Sequence, residues 1–121
     1  MDCPRYGSHW ESIGFQGNDP ATDLRGVGFM GLIQALYFVM TPELVPLARN
    51  MYRLSLNESQ NFPFLVLSIN VTRIALHALR DGLLNRQSSR ENSVWSAVNF
   101  FYVSVMYHIY KVTYLIPKYY V

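Results

Sequence analysis

The sequence has few charged residues. Asp, Glu, Lys and Arg make up 15% of the 121 residues, against about a quarter in an average soluble domain, whereas 50% are hydrophobic. This composition excludes an intrinsically disordered chain, and the length accommodates one domain at most. Because a folded surface needs polar groups or another chain to cover it, the shortage of charge predicts a partner or a further segment.

Charge of one sign is not concentrated anywhere in the chain. Ten Lys and Arg against eight Asp and Glu leave a net charge of +2, without the basic patch that nucleic-acid binding requires. Eight of the ten cations are arginine, which favours planar, bidentate contacts or simply reflects genome composition. The sequence therefore predicts no nucleic-acid partner.

Cysteine is represented by one residue, Cys3, which excludes a disulfide framework. Cys3 and the three histidines (His9, His77 and His108) lack the spacing of metal ligands. The first residues also lack the apolar run of a signal peptide. We therefore expect no metal site and a reducing, cytoplasmic location.

One long segment has no charge at all. Residues 92–110 contain no Asp, Glu, Lys or Arg over 19 positions, about the length of a membrane span. The segment nevertheless carries several polar residues: Asn92, Ser93, Ser96, Asn99, Ser104 and His108. This composition favours a buried helix over a membrane span.

Hydrophobic periodicity predicts an all-α fold. Residues 1–22 show no helical or strand period, but Trp10 and Phe15 are too apolar for a disordered tail, so this segment should be an ordered loop. Thr22-Asp23 is a credible cap for a first helix that continues to Met40. That helix is apolar almost all round and should lie in the core.

Three further helices are predicted by start and stop signals. Thr41 should cap the second, with Pro42 at its first position, and Phe62-Pro63 should open the third, which ends near Gly82. Residues 85–92 are interpreted as an exposed connection. Two signals bound the fourth helix: a cap at Ser93, and Pro117, which should stop it by Ile116. The whole is an irregular domain of about four helices, part of a larger helical domain.

The glycines Gly26, Gly28 and Gly31 match the pattern G-x-G-x-x-G of dinucleotide-binding turns. That pattern binds a pyrophosphate only where a strand enters the glycines, and residues 19–25 do not form a strand pattern. We therefore interpret Gly28 and Gly31 as sites of close helix packing, so that Gly28→Val should destabilise the protein by overpacking.

Arg25 is predicted in the first turn of the central helix, where the helix dipole disfavours a cation by up to about 1 kcal/mol. Two explanations are open. Asp19 or Asp23 could pair with Arg25 and fix the loop, which the spacing favours. Alternatively, an arginine held at the junction of a loop and a helix could reach an anionic ligand on a partner.

Thirteen positions over 29 residues resemble the signature of the ELMO (engulfment and cell motility) domain in its ELMO-domain-containing branch. They are Trp10, Gly14-Phe15-Gln16, Pro20, the core Thr22-Asp23-Leu24-Arg25-Gly26 with Gly28, and Leu32 and Phe38. Downstream, Asn61-Phe62-Pro63-Phe64 and Ala78-Leu79-Arg80 resemble the third vertebrate group of that branch.

This resemblance implies an all-α domain that stimulates GTP hydrolysis by Arf-family GTPases, a regulator rather than an enzyme with its own substrate. Arg25 would be the catalytic arginine finger, and GTP and magnesium would belong to the partner GTPase. The implied supporting residues fall into two groups: Asp23, Gln16, Thr22, Gly26 and Gly28 position Arg25, and Trp10, Phe15 and Pro20 brace the loop. The alternatives are a non-catalytic scaffold domain that acts with exchange factors, and an inactive fragment.

The resemblance runs from about His9 to His108. Residues 9–112 would form a partial ELMO domain between a non-domain segment, 1–8, and a divergent tail, 113–121. The family's domain has further helices on both sides, so the sequence resembles a truncated form. Such a chain should expose apolar faces and self-associate or bind a hydrophobic dye. The resemblance is compatible with association with the cytoskeleton or with a membrane surface.

Overall fold

The computed structural model describes residues 4–57 and 61–120, except for the side chains at positions 22, 26 and 115–120. The prediction for Cys3 lies outside these residues. The described helices are α1 (His9–Ser12), α2 (Pro20–Asp23), a 3₁₀ turn (Leu24–Gly26), α3 (Phe29–Met40), α4 (Val45–Ser55), α5 (Phe64–Arg80), α6 (Asn85–Glu91) and α7 (Val94–Tyr120). No strand occurs among the described residues, so the predicted all-α fold is confirmed.

The chain divides into two compact units, Met1–Asn70 and Val71–Val121. The first unit is built around aromatic contacts. Phe38 on α3 is fully buried and stacks on Phe64 of α5, with ring centroids 6.3 Å apart. Tyr52 on α4 meets the same Phe64 ring edge-on at 5.9 Å. Each such ring pair contributes about 0.5–1.5 kcal/mol beyond the free energy gained by burying its surface. The pairs therefore hold α3, α4 and the start of α5 together.

The second unit contains the C-terminal half of α5 together with α6 and α7. Its buried apolar residues are Val71, Ala75, Ala78, Leu84, Ala97, Val98, Tyr102 and Met106. The predicted end of the third helix is confirmed, because Gly82 has φ +80° and the Leu83 amide donates to the Ala78 carbonyl at 3.0 Å. This is the Schellman closure that favours glycine after a helix.

Residues 85–91 form α6, so the connection predicted over 85–92 is helical rather than a loop. Asn92 takes the left-handed conformation at φ 53° that ends α6, and Gln87 donates to Glu91 one turn later at 2.6 Å. The segment is nevertheless polar and buries no residue. The predicted cap of the next helix is confirmed, since the Ser93 hydroxyl accepts the Ser96 amide at 3.1 Å.

Proline did not end α7 where the sequence predicted. The helix continues past Pro117 to Tyr120, so the predicted end at Ile116 was wrong. A proline removes one backbone hydrogen bond and its ring crowds the preceding turn. One lost bond near the end of a 27-residue helix disturbs few of the interactions that hold it.

Thr41 also has a different role from the one predicted. Its hydroxyl donates back to the Tyr37 carbonyl at 2.6 Å, so it closes α3 and is not the cap of α4. That helix begins at Val45, and Pro46 rather than Pro42 lies in its first turn. The helix therefore begins three residues later than the sequence predicted.

The apolar helix α3 is only partly buried, contrary to the prediction that it lies in the core on all sides. Its buried residues are Gly31, Gln34, Ala35 and Phe38, whereas Phe29 is 78% exposed and Met40 71% exposed. The reason is that the aromatic contacts of the first unit use one face of the helix. The remaining face leaves Ile33 and Leu36 accessible to solvent as well.

We expect this exposed face of α3 to cause self-association at micromolar concentration, because water disfavours contiguous apolar surface. The double variant Phe29→Ser/Met40→Ser should shift the chain toward monomer in sedimentation velocity. Leu83→Ser is the matched control, since Leu83 is 73% exposed but lies outside α3. A monomeric wild-type chain under the same conditions would contradict the prediction.

Among the described residues, no single helix has both the length and the apolar composition that crossing a membrane requires. The helices α3 and α4 meet the two requirements only when they are counted as one segment, and the chain bends by 109° between them.

Candidate functional site

The N-terminal loop is ordered by bonds between its two ends. Arg5 forms a salt bridge with Asp19, with 3.5 Å between Nη2 and Oδ2, and the Gly7 amide donates to the Asn18 carbonyl at 3.0 Å. The Trp10 indole nitrogen donates to the Arg5 carbonyl at 2.6 Å. The prediction of an ordered loop is confirmed, although residues 9–12 and 20–23 form short helices within it.

Trp10 and Phe15 contact each other inside this loop. Their rings meet edge to face at 5.8 Å, and the Phe15 amide donates to the Trp10 carbonyl at 3.1 Å. Phe15 is 6% exposed, so its ring anchors the loop in the first unit. These contacts link residues 10 and 15 of the loop, and the bracing role of the two residues stays a prediction.

Gly14 joins the loop to α5 through its backbone. It has φ +106°, a conformation that favours glycine, and its carbonyl accepts the Val66 amide at 3.1 Å. That amide is one of those at a helix start that have no partner within the helix. A Cβ on Gly14 would lie 2.4 Å from the Phe64 nitrogen. Only glycine allows so close an approach of two backbones.

The segment around Arg25 begins with a capped helical turn. Asp19 is the cap of α2, where its carboxylate accepts the Ala21 amide at 3.1 Å, and Pro20 occupies the first helical position. The predicted cap at Thr22-Asp23 was therefore wrong: both residues lie within α2. The Thr22 side chain lies outside the part of the chain that the structure describes.

Asp23 and Gln16, both predicted to position Arg25, bond to each other. The Asp23 carboxylate accepts a hydrogen bond from the Gln16 backbone amide at 2.8 Å, so Gln16 contributes its backbone to this bond. A hydrogen bond to a charged group contributes about 1.5–3 kcal/mol when well shielded, less at this exposed site. The bond links the loop to the last residue of α2, two positions before Arg25.

Arg25 lies in the 3₁₀ turn with Gly26, outside the central helix, which begins at Phe29. The prediction that it occupies the first turn of that helix was wrong, because a separate helical turn precedes α3. The side chain is exposed, and no described side chain forms a hydrogen bond or ion pair with it. The predicted pairing with Asp19 or Asp23 was also wrong: these carboxylates bond to other groups.

Gly28, which precedes α3, and Gly31, which lies within it, have different roles. Gly31 serves close packing as predicted, since an added Cβ would lie 2.6 Å from Val27 Cγ2. Gly28 does not, because an added Cβ would have no neighbour within 4 Å. Instead Gly28 has φ 62° and ψ −148°, a region that glycine alone adopts readily. It ends the turn that carries Arg25 and lets α3 begin.

We expect Gly28→Ala to destabilise the first unit by about 1–3 kcal/mol, as backbone strain rather than the overpacking first predicted for Gly28→Val. Gly28→Asn should not rescue stability, since asparagine tolerates the left-handed helical region but not ψ near −148°. Urea denaturation of both variants measures this. Wild-type stability in either would contradict the assignment of strain at Gly28.

A cavity of about 610 Å³ lies behind the turn that carries Arg25. Leu24, next to Arg25, forms part of its wall, as do the predicted brace residues Trp10, Phe15 and Pro20. The remaining lining residues are Ile13, Gly31, Leu32, Ala35, Leu36, Val39, Val45, Ala48, Arg49, Tyr52, Phe64, Leu65 and Ile69. The structure thus places three of the predicted supporting residues on one wall, whereas Arg25 faces solvent.

Some residues that build this region were not predicted from the sequence. Arg5 holds Asp19, and the Tyr52 hydroxyl donates to the Ser12 carbonyl at 2.7 Å. The Asp19 cap had a readable signal, because an Asp followed by Pro at the first helical position is a typical helix start. The bond from Tyr52 had none, since its partners lie 40 positions apart.

In this chain a capped turn and an arginine precede the first long helix, and its sequence is similar to those of known proteins. The sequence profile of the ELMO/CED-12 family matches residues 1–113. The chain belongs to this family. The resemblance found in the sequence is therefore confirmed.

Several relatives of this ELMO/CED-12 chain carry the domain in their names. ELMO domain-containing protein 3 of Homo sapiens is 46% identical over 109 residues, 90% of the chain and 29% of that protein. ELMO domain-containing protein 2 of Homo sapiens is 34% identical over 80 residues, which are 66% of the chain and 27% of that protein. ELMO domain-containing protein B of Dictyostelium discoideum is 37% identical over 75 residues, which are 62% of the chain and 25% of that protein.

The ELMO/CED-12 chain thus spans less than a third of the length of these relatives. No solved structure shows significant similarity to it.

Proposed function

We propose that the chain stimulates GTP hydrolysis by a small GTPase of the Arf family, with Arg25 acting as an arginine finger. The observation that carries the proposal is the state of Arg25: an exposed guanidinium without a described side-chain partner, on a turn fixed at both ends. An unpaired arginine can bind an anion without first breaking an ion pair.

The fixed turn supports this role energetically. Asp19 caps the helical turn before it, Asp23 ties that turn to Gln16, and the Gly28 amide donates to the Leu24 carbonyl at 2.7 Å. A group that is held in place before binding loses less conformational entropy when the complex forms. Arg25 then needs to order only its own side chain on the partner.

The chemistry requires such a group. Negative charge builds on the oxygens of the transferring phosphoryl group, and an arginine supplied by a second protein accelerates hydrolysis by about 10³ to 10⁵. This corresponds to roughly 4–7 kcal/mol of the barrier. The partner GTPase would supply the nucleotide and the magnesium ion, so the chain itself needs no cofactor for this activity.

A second candidate is a non-catalytic interaction domain. The exposed apolar face of α3, with Phe29 and Met40, favours it, because such surfaces bind other proteins. The two candidates differ at Arg25, which an interaction domain does not need.

A single-turnover assay distinguishes the two functions. Arf-family GTPases loaded with GTP are mixed with increasing concentrations of the chain, and hydrolysis and nucleotide release are followed separately. We expect faster hydrolysis by at least one GTPase, saturating with the concentration of the chain, and unchanged hydrolysis by GTPases outside the family. Binding without faster hydrolysis would support the interaction domain. Faster nucleotide release alone would contradict the proposal.

A further inference from the structure

The cavity of the first unit is open to solvent, since its lining residues Ile13, Leu32, Leu36 and Val39 are 37–47% exposed. It measures about 610 Å³. Ligand pockets span about 300–1,000 Å³. The cavity therefore has the volume of a site for one small molecule rather than that of a packing defect.

The lining of the cavity defines the chemistry of its ligand. The apolar wall comes from the loop, the 3₁₀ turn and three helices, among them Ile13, Leu36, Val39 and Ile69. A wall of this kind binds an aliphatic group through the hydrophobic effect, at about 25 cal/mol per Å² of buried apolar surface. Most of the ligand should therefore be hydrocarbon.

Two polar side chains in the wall already use their donors. The Trp10 indole nitrogen donates to the Arg5 carbonyl, and the Tyr52 hydroxyl donates to the Ser12 carbonyl. Neither is free to donate a hydrogen bond to a ligand.

Arg49 is the one charged residue of the lining. It lies on α4 beside Ala48, which is 5% exposed, whereas Arg49 itself is exposed. Because Arg49 lines the cavity and is exposed, its guanidinium can reach a group bound at the opening of the cavity, and no described group bonds to it. A planar guanidinium with free donors binds a carboxylate by two parallel hydrogen bonds.

We propose that this cavity binds one long-chain fatty acid, with the aliphatic chain along the apolar wall and the carboxylate on Arg49. A neutral lipid would leave the Arg49 guanidinium without a partner. The site is distinct from Arg25, which does not line the cavity.

The test uses cis-parinaric acid, an 18-carbon fatty acid whose fluorescence rises in an apolar site, titrated into the 121-residue chain. We expect one site per chain, with at least tenfold weaker binding in Arg49→Ala. Arg53→Ala is the matched control, since Arg53 is also exposed on α4 but does not line the cavity, and its affinity should stay within twofold of wild type. Arg25→Lys should bind like wild type, which separates this site from the proposed GTPase activity.

A second pair of variants tests the cavity itself. Leu36→Trp should fill the cavity and weaken binding at least tenfold, whereas Ile33→Trp should not. The two positions are 47% and 44% exposed on the same helix, but only Leu36 lines the cavity. Circular dichroism of both variants checks that the fold is retained.

Competition defines the head group. Palmitate should displace the probe at least tenfold more effectively than methyl palmitate, which has the same chain without the charge. Equal displacement by the ester, or unchanged binding in Arg49→Ala, would overturn the proposal. Equal effects of Leu36→Trp and Ile33→Trp would do the same, since they would show that the probe binds outside the cavity.

Discussion

Arg25→Lys is expected to abolish the stimulation of GTP hydrolysis, a loss of about 10³-fold or more, and Arg25→Ala should do the same. Lysine keeps the positive charge but not the planar fork that bonds two phosphoryl oxygens at once. Arg25 is exposed and bonds to no described side chain, so neither change removes a contact that holds the fold. The measurement is single-turnover hydrolysis by the GTPase that responds to the wild-type chain.

Two controls accompany this result. Arg53→Lys makes the same chemical change at another exposed arginine and should leave stimulation unaltered, and circular dichroism should show equal helix content in all variants. Binding to the GTP-loaded partner should fall far less than stimulation, because an arginine finger acts mainly on the transition state. Full stimulation by Arg25→Lys would contradict the role of Arg25 as the finger.

Gly14→Ala should be the most destabilising of the small substitutions, by about 3 kcal/mol or more. Two costs combine: a non-glycine residue at φ +106° is strained by about 1–3 kcal/mol, and the new Cβ would lie 2.4 Å from the Phe64 nitrogen. Because that neighbour is backbone at the start of a helix, it cannot turn aside as a side chain would. Overpacking of this kind typically adds another 1–3 kcal/mol.

Gly17→Ala is the matched control for this substitution. Gly17 belongs to the same loop, but an added Cβ there has no neighbour within 4 Å and the backbone is not in the left-handed region. Its effect should be within about 0.5 kcal/mol of zero, as for most surface substitutions. Chemical denaturation of both variants makes the comparison. Equal stability of the two would show that the loop and α5 separate at little cost.

Local signals predicted several helix ends correctly. The Gly82 stop and the Ser93 cap depend on residues that are neighbours in sequence, and both were confirmed. The failure at Thr41 has the opposite cause. The Thr41 hydroxyl can either accept a backbone amide of the following helix or donate to a carbonyl of the preceding one. The sequence alone does not show that it donates to the Tyr37 carbonyl.

The surroundings of Arg25 were predicted only in part. The residues that brace the loop could be named because they are apolar or belong to the family signature. The partners of Asp19 and Asp23 could not, since Arg5 and the Gln16 amide reach them through the path of the loop. The sequence predicted exposed apolar faces but did not show that α3 carries one, because the composition of α3 is that of a buried helix.

Because the Val66 amide donates to the Gly14 carbonyl, the rate of hydrogen exchange at Val66 reports how often the loop opens. Amides in the first turn of a helix usually exchange with solvent deuterium quickly, because they have no partner within the helix. At Val66 the proton is protected only while the loop stays in place. Its exchange rate therefore measures how often the loop that positions Arg25 opens, and a bound partner that holds the loop should slow this one amide more than its neighbours further along α5.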